Sequence, residues 1–338
     1  MFKKILAHPT VHLAILGGML TGVLVCVFPE LIPRFSWVVN HAQQLMLFYL
    51  FAGLLALFLK QPKLTFIFFG GCVLLCFFLK YSLKDEGFER RRQWVRQVQS
   101  NSPGERSITN GEIKIVHINL TNANNREEIS TILEDTDADI VSLHEVTPDW
   151  GQWLTDSLES LHPYHHMMLD LGIFGVAIYS KLELVDVDTF YYQGVPNLRS
   201  RLEKDGRYFY LISVHTQPAL DEFSKRQLKE HLNLVKDTLN GMDEPLLVVG
   251  DFNAVSWSEQ IQLFLDGTDL IESRRGFVPS SFSGKISFLD IPLDHIFYSG
   301  EFNCNNFQKI MGESGRHLGI MGNYKYVIRD NHAERQGQ

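Results

Sequence analysis

Three long apolar runs fill the first eighty residues. From Ile5 to Pro29 there is no Asp, Glu, Lys or Arg, and the core VHLAILGGMLTGVLVCVF runs from Val11 to Phe28. Charge is absent again from Phe35 to Leu59, and a third run, LTFIFFGGCVLLCFFL, spans Leu64 to Leu79. A membrane-crossing helix needs ~20 apolar residues. The first two runs reach that length. The third is short, but Lys63 and Lys80 can snorkel at its ends. Two further runs follow the first and no small-residue cleavage site stands out, so it reads as a span rather than a removable signal. Gly18 and Gly22 make a G-x-x-x-G pair, a weak pointer to a close helix contact. Cys72 and Cys76 share a helix face but lack C-x-x-C spacing, and they read as membrane packing.

The pattern changes after Leu79. Residues 84–110 are polar; their first half reads as a basic helix on anionic lipid with Trp94 at the interface, or equally as a solvated linker, and SNSPGE breaks any helix. Beyond Gly111, strand-like runs recur at 113–120, 139–146, 174–180, 208–216, 245–252 and 293–299. Helical patterns such as REEISTILEDT and KRQLKEHLNLVKDTLN lie between them. Several strands are apolar on both faces, as in a sheet covered by helices. The predicted division is a three-helix transmembrane region at 1–83, a linker at 84–110 and an α/β (α+β) sandwich at 111–338.

Composition narrows the picture. Hydrophobic residues make up 45% of the chain, which excludes a disordered protein. Cys26, Cys72 and Cys76 lie in apolar runs, leaving Cys304 alone, so no disulfide framework exists. The net charge of −8 hides a split. Residues 1–100 carry 11 Lys/Arg and 4 Asp/Glu, whereas residues 101–338 carry 20 and 35, a balance of −15. Nucleic-acid binders show a basic face. This domain lacks the bulk charge for one, although Arg199, Arg201, Lys204 and Arg207, or Arg274 and Arg275, could form a local patch.

Acids and amides sit at the C-terminal ends of strands: Asn119, Glu145, His215, Asp251, Asn253, and Asp294 with His295. Ligand sites in layered folds favour such edges, where loops converge on a rigid sheet. Oxygen donors with few basic neighbours suit Mg²⁺, with Mn²⁺ as a substitute, and such an ion neutralises charge on a phosphoryl oxygen. No H-E-x-x-H, G-x-S-x-G or Gly-rich phosphate loop supports a rival chemistry. Trp150, Trp153 and Trp257 read as packing. His162, His165 and His166 read as a solvated loop rather than a second metal site.

The motifs VHINLTNANN, DIVSLHEV, SVHTQP, GDFNAVSWS and LDHIF, with His317 near the end, stand in the order seen in the endonuclease/exonuclease/phosphatase (DNase I-like) superfamily. The chain resembles its membrane-anchored bacterial branch over residues 111–325. The resemblance implies a four-layer sandwich, two packed β-sheets flanked by helices. It implies Glu145 as the main Mg²⁺ ligand with Asn119 assisting, Asp251 as the base that orients or deprotonates the attacking water and Asn253 as a positioner of the phosphate or the water. It also implies that His215 donates to non-bridging oxygens and that His317 contacts the scissile phosphate while Asp294 holds its ring. Two positions depart from the family pattern. His144 stands where Gln is usual, and Gly315-Arg316-His317 replaces Ser-Asp-His, so a cation occupies the place of an acid.

The expected activity is therefore a membrane-anchored, Mg²⁺-dependent phosphohydrolase or phosphodiesterase. Its expected partners are the lipid bilayer and a phospholipid or lipid-linked (pyro)phosphate. A membrane-anchored nuclease, or a binding protein weakened by Arg316, is the alternative. No protein partner follows from the sequence. A bare Lys/Arg count puts the C-terminal domain in the cytoplasm. The tight KQPK loop opposes that reading, and the expectation adopted is the periplasmic side of a bacterial inner membrane.

Overall fold

The computed structural model describes residues 8–82, 111–123, 125–275, 291–313 and 315–327. The polar linker lies outside them. The N-terminal part forms helices α1 (Pro9–Val27), α2 (Ala42–Phe58) and α3 (Pro62–Ser82), with short 3₁₀ turns at Pro29–Leu31 and Pro33–His41. Three helical segments, Pro9–Val27, Trp37–Phe58 and Pro62–Ser82, are long and apolar enough to cross a membrane. The third exceeds its apolar run because Pro62 opens the helix and Lys80–Ser82 extends it. Their outer faces expose large side chains, including Leu13 at 70% and Phe58 at 82%. Apolar surface of that extent calls for a non-aqueous neighbour.

Small residues set the helix seams. A Cβ on Gly22 would lie 2.5 Å from the Tyr49 hydroxyl of α2, and one on Gly71 would lie 2.7 Å from Met19 of α1. Gly18, the other half of the G-x-x-x-G pair, faces open space, so the pair does not act as a unit.

The remainder is a sandwich of two six-stranded mixed sheets. The first holds β1 (Glu112–Asn119), β2 (Ile140–His144), β3 (Tyr164–Met168), β4 (Val176–Ser180), β11 (Phe302–Met311) and β12 (His317–Tyr326), in the order β11-β12-β1-β2-β4-β3. The second holds β5 (Leu184–Tyr192), β6 (Val195–Lys204), β7 (Arg207–Ser213), β8 (Leu246–Asp251), β9 (Ile271–Glu272) and β10 (Asp294–Tyr298), in the order β5-β6-β7-β8-β10-β9. Helices α4 (Arg126–Thr136) and α5 (Pro148–Leu158) cover the first sheet. Helices α6 (Glu222–Leu239) and α7 (Glu259–Thr268) cover the second.

Alternation along the strands builds three apolar layers. Ile113, Ile115 and Ile178 of one sheet meet Leu211, Leu247 and Val249 of the other in the central core. Val116 and Ile118 turn outward to Ile129 and Leu133 of α4. Val248 packs on Leu232 and Val235 of α6. Both faces of the central strands are thus buried, which is why they are apolar throughout.

His162, His165 and His166 do not form a loop. The last two lie in edge strand β3, and His162 is buried with Nε2 2.9 Å from the Ala138 carbonyl. Nor do they converge: His165 stacks on Tyr179, whereas His166 Nε2 lies 2.9 Å from the Thr189 hydroxyl. Pairing with β4 takes up backbone groups of His165 and His166, and the His162 amide donates to the Leu158 carbonyl at 2.7 Å.

Candidate active site

Strand direction gathers the polar strand ends. β1 runs parallel to β2, and β7 parallel to β8, so Asn119, Glu145, His215 and Asp251 follow from C-terminal ends at one edge. β10 and β12 run antiparallel to their neighbours, which brings their first residues, Asp294 and His317, to the same edge. The register is direct: Asp294 faces Asp251, and Gly319 faces Ile118.

Hydrogen bonds join these residues in series. Asn119 Nδ2 donates to Glu145 Oε1 at 2.7 Å and approaches Asp251 Oδ2 at 3.5 Å. Its Oδ1 accepts from the Thr121 amide at 3.1 Å, and the Thr121 hydroxyl donates to Glu145 Oε2. His317 Nε2 lies 2.5 Å from Asp294 Oδ2. The Nδ1 atoms of His317 and His215 are buried and have no hydrogen-bond partner in the structure. Asn253 has φ +48°; its amide N–H donates to Asp251 Oδ1 at 2.9 Å, and its side chain donates to the Thr216 carbonyl at 2.7 Å. As placed, Asn253 therefore shapes the turn and steers Asp251.

The carboxyls of Asp251 and Asp294 are pushed apart. Burial, then the facing Asp294 charge, raises the pKa of Asp251 well above the usual carboxylate range, against the opposing hydrogen bonds from Asn253 and Asn119. Burial would raise Asp294 too, but the His317 hydrogen bond and charge outweigh it and hold its pKa low. One carboxyl is thus a base poised near neutrality and the other a fixed anion. Burial lowers the pKa of His215 to about 4, despite the Glu145 and Asp294 charges, so its ring is neutral at pH 7.

A buried chain of polar groups, which sequence reasoning missed, lies beneath this edge. The Asp251 amide donates to His144 Nδ1 at 3.4 Å, which leaves the His144 proton on Nε2. That proton faces the Ser213 hydroxyl at 3.1 Å, Ser213 faces Ser142 at 3.0 Å, and Ser142 faces His117 Nδ1 at 3.1 Å. The chain of contacts runs from Asp251 in the second sheet to His117 in the first. His144, the residue where the family has Gln, stacks on His215 with centroids 4.6 Å apart. It thus pins the two sheets together under the site. The available signal was a polar residue inside an otherwise apolar strand. His295, singled out beside Asp294 without a role, bridges Glu272 Oε1 at 2.9 Å and the Ala254 carbonyl at 2.8 Å, anchoring the turn that carries Asn253.

Gly250 makes the close approach possible. Its φ is +150°, and a Cβ there would lie 2.0 Å from the Val214 carbonyl oxygen and 2.8 Å from the His144 ring. Arg316 is exposed, and its carbonyl accepts from the Gly312 amide at 2.8 Å. Glu128 of α4 accepts from the Glu313 amide at 2.6 Å and steadies the turn leading to His317.

The donor set suits a hard cation. Glu145, Asp251, Asp294 and the Asn119 amide offer oxygens, and mutual repulsion among the carboxylates is what a divalent ion relieves. Among the described residues, no group of three or more His, Cys, Asp and Glu closes into a cage.

Two mixed sheets packed face to face, flanked by helices and carrying this polar edge, define a hydrolase fold of the DNase I-like class. Residues 115–310 match the Endonuclease/Exonuclease/phosphatase family, and the chain belongs to it. Among solved structures, a humanized D. rerio TDP2 carrying 14 mutations has TM-score 0.50 at 16% identity, over 63% of this chain and 98% of that one. D. rerio TDP2 complexed with single strand DNA product has TM-score 0.50 at 15% identity, over 64% and 99%. An endonuclease/exonuclease/phosphatase from Beutenbergia cavernae DSM 12333 has TM-score 0.52 at 15% identity, over 64% and 72%. At such identities the likeness is one of fold. No curated protein matches the chain.

Proposed function

We propose that this protein is a membrane-anchored, Mg²⁺-dependent phosphoesterase that cleaves a phosphate ester of a membrane lipid. The observation that carries the reading is the continuous series Glu145–Asn119–Asp251, faced by Asp294–His317, at one sheet edge. Glu145 and Asn119 hold the ion, with Mn²⁺ as a substitute; when bound, it neutralises charge on the phosphoryl group. Asp251 takes a proton from water as the water oxygen bonds to phosphorus. The bond from phosphorus to the leaving oxygen breaks, and that oxygen takes a proton from solvent. His215 and His317 donate to the phosphoryl oxygens, Asp294 holds the His317 ring, and Asn253 orients Asp251.

A lipid ester is preferred to nucleic acid on two grounds. Three apolar helices of this length supply a bilayer anchor. Most of the basic residues named as a local patch are engaged elsewhere: Arg199 pairs with Asp188, Arg201 with Glu244 and Lys204 with Asp139, while Arg207 lies 5.2 Å over the Tyr326 ring. Arg274 and Arg275 donate to the carbonyls of Asp294 and Cys304. The catalytic domain is assigned to the periplasmic side of a bacterial inner membrane; an active C-terminal alkaline phosphatase fusion is the expected result.

The test assays the full chain in detergent with Mg²⁺ on bis(p-nitrophenyl) phosphate, mixed phospholipids, a polyprenyl pyrophosphate and plasmid DNA. Cleavage of a lipid ester, abolished in Asp251→Asn, is expected. Efficient DNA cleavage with no lipid product reverses the substrate ranking. Rates equal in wild type and Asp251→Asn favour a binding protein.

A further inference from the structure

The catalytic domain sits directly on the ends of the apolar helices. Val255 and Trp257 share one apolar cluster with Met19, Cys26, Ala42 and Leu79. The buried Trp257 Nε1 donates to the Val39 carbonyl at 2.7 Å. Beside this seam opens a cavity of about 730 Å³, the size of a small-molecule site. One wall comes from the ends of α1 and α3 and the segment joining α1 to α2. The other comes from α6, α7 and the turn carrying Asn253.

Its two walls differ in chemistry. Phe28, Leu31, Trp37 and Tyr81 line the membrane side and are exposed. Trp and Tyr at helix ends favour the headgroup level of a bilayer, which fixes the depth of the cavity. The catalytic-domain wall carries Lys225, Arg226 and Lys229 on successive turns of α6. Three acids, Glu30, Glu222 and Glu259, line the same space, so the lining is electrically balanced. Lys225 is paired with Glu222 at 2.9 Å. Arg226, Lys229, Glu30 and Glu259 have no ion-pair partner among the described residues.

We infer that this cavity holds one zwitterionic phospholipid, its phosphate on Arg226 and Lys229, its amine toward Glu30 or Glu259, and its chains between the helix ends. The occupant follows from charge and place. A balanced set of unpaired cations and anions complements a headgroup carrying both signs, whereas a phosphate monoester or pyrophosphate would leave the acids facing an anion. Arg presents a fork that matches a phosphodiester. Asn253 lines the cavity while its amide donates to Asp251 Oδ1, so the cavity adjoins the turn that steers the proposed base. As an account of the substrate, this rests on the phosphoesterase reading above; as a binding site it does not.

The test separates the two. The full chain in non-ionic detergent micelles with added chelator, where turnover is stopped, is labelled by a phosphatidylethanolamine carrying a photoactivatable group beside its phosphate. Label is expected on peptides of 219–229 and 257–263, competed by phosphatidylethanolamine and phosphatidylcholine more strongly than by phosphatidylglycerol or phosphatidic acid. In Arg226→Glu/Lys229→Glu, labelling at these peptides and Mg²⁺-dependent lipid hydrolysis both fall about tenfold, the effect of losing a charge-assisted contact, while bis(p-nitrophenyl) phosphate hydrolysis is unchanged. A single Leu263→Trp variant, which fills the cavity without altering charge, gives the same split. Label confined to the lipid-facing sides of α1–α3, equal competition by anionic lipids, or an equal fall on lipid and soluble substrates overturns the inference. Label in the cavity of a protein that hydrolyses nothing sustains the lipid site and defeats the phosphoesterase reading alone.

Discussion

Asp251 and Asp294 face one another directly across β8 and β10, yet one carboxyl is driven up in pKa and the other held down. Like charges in register destabilise a sheet. Here the pair assigns two roles, a base poised near neutrality and a permanent anion on the His317 ring.

The first consequence concerns pH. The rate should fall as pH drops through the raised Asp251 value. In Asp294→Asn a neighbouring negative charge is gone, so the Asp251 pKa falls and the acid limb of kcat/KM moves to lower pH. At the pH optimum kcat falls ~10²–10³-fold, because the His317 ring loses its anion. An acid limb that stays in place would refute the coupling.

Glu145→Gln keeps the hydrogen-bond geometry but removes one charge. The Mg²⁺ concentration giving half-maximal activity should rise at least about tenfold, with little change in thermal midpoint. Titration of activity with Mg²⁺ and Mn²⁺ measures it.

Arg316→Asp installs the acid that the family pattern has before the histidine. An additional oxygen donor should lower the half-saturating Mg²⁺ concentration, by about tenfold. An unchanged metal requirement would mean that Arg316 stands clear of the ion.

Gly250→Ala cannot be accommodated. The new methyl meets the Val214 carbonyl, and the positive φ opposes any side chain. The expected loss is about 3 kcal/mol or more, together with loss of activity. Thermal unfolding of the detergent-solubilised chain reports the first.

Stability should decline in mild acid through His231. Burial lowers its pKa to about 4, and its Nε2 lies 3.0 Å from Asn197 Oδ1. The unfolded imidazole titrates near ~6.5, so between these values the unfolded chain holds the extra proton. Its stabilising share is complete above the unfolded value and lost as pH falls toward the folded one. At pH 5 the loss is about 2 kcal/mol. His231→Gln, which can still donate to Asn197, should flatten the dependence of thermal midpoint on pH between 7 and 5.

The parts of this protein legible in its sequence share a physical cause. Asn119, Glu145, Asp251 and Asp294 stand out because each punctuates an apolar run where a buried strand meets its edge. The apolar helices stand out for the same reason at greater length. Strands β5 and β11 do not, because VDVDTFYY and FNCNNFQKIM alternate with solvent-facing polar residues and carry weak runs. His144, Ser213 and His117 take meaning only from partners up to 107 residues away. The cavity beside Trp257 is still less legible, since its walls come from residues 26–82 and 219–263 and meet only through the fold.

The seat of Trp257 on the Val39 carbonyl has a kinetic corollary. A hydrolase that rests on its own anchor meets its substrate by lateral diffusion within one leaflet. Its turnover then follows the mole fraction of that lipid in the surface and is indifferent to how many vesicles are in the tube. Diluting the substrate with inert lipid slows such an enzyme; adding more buffer does not.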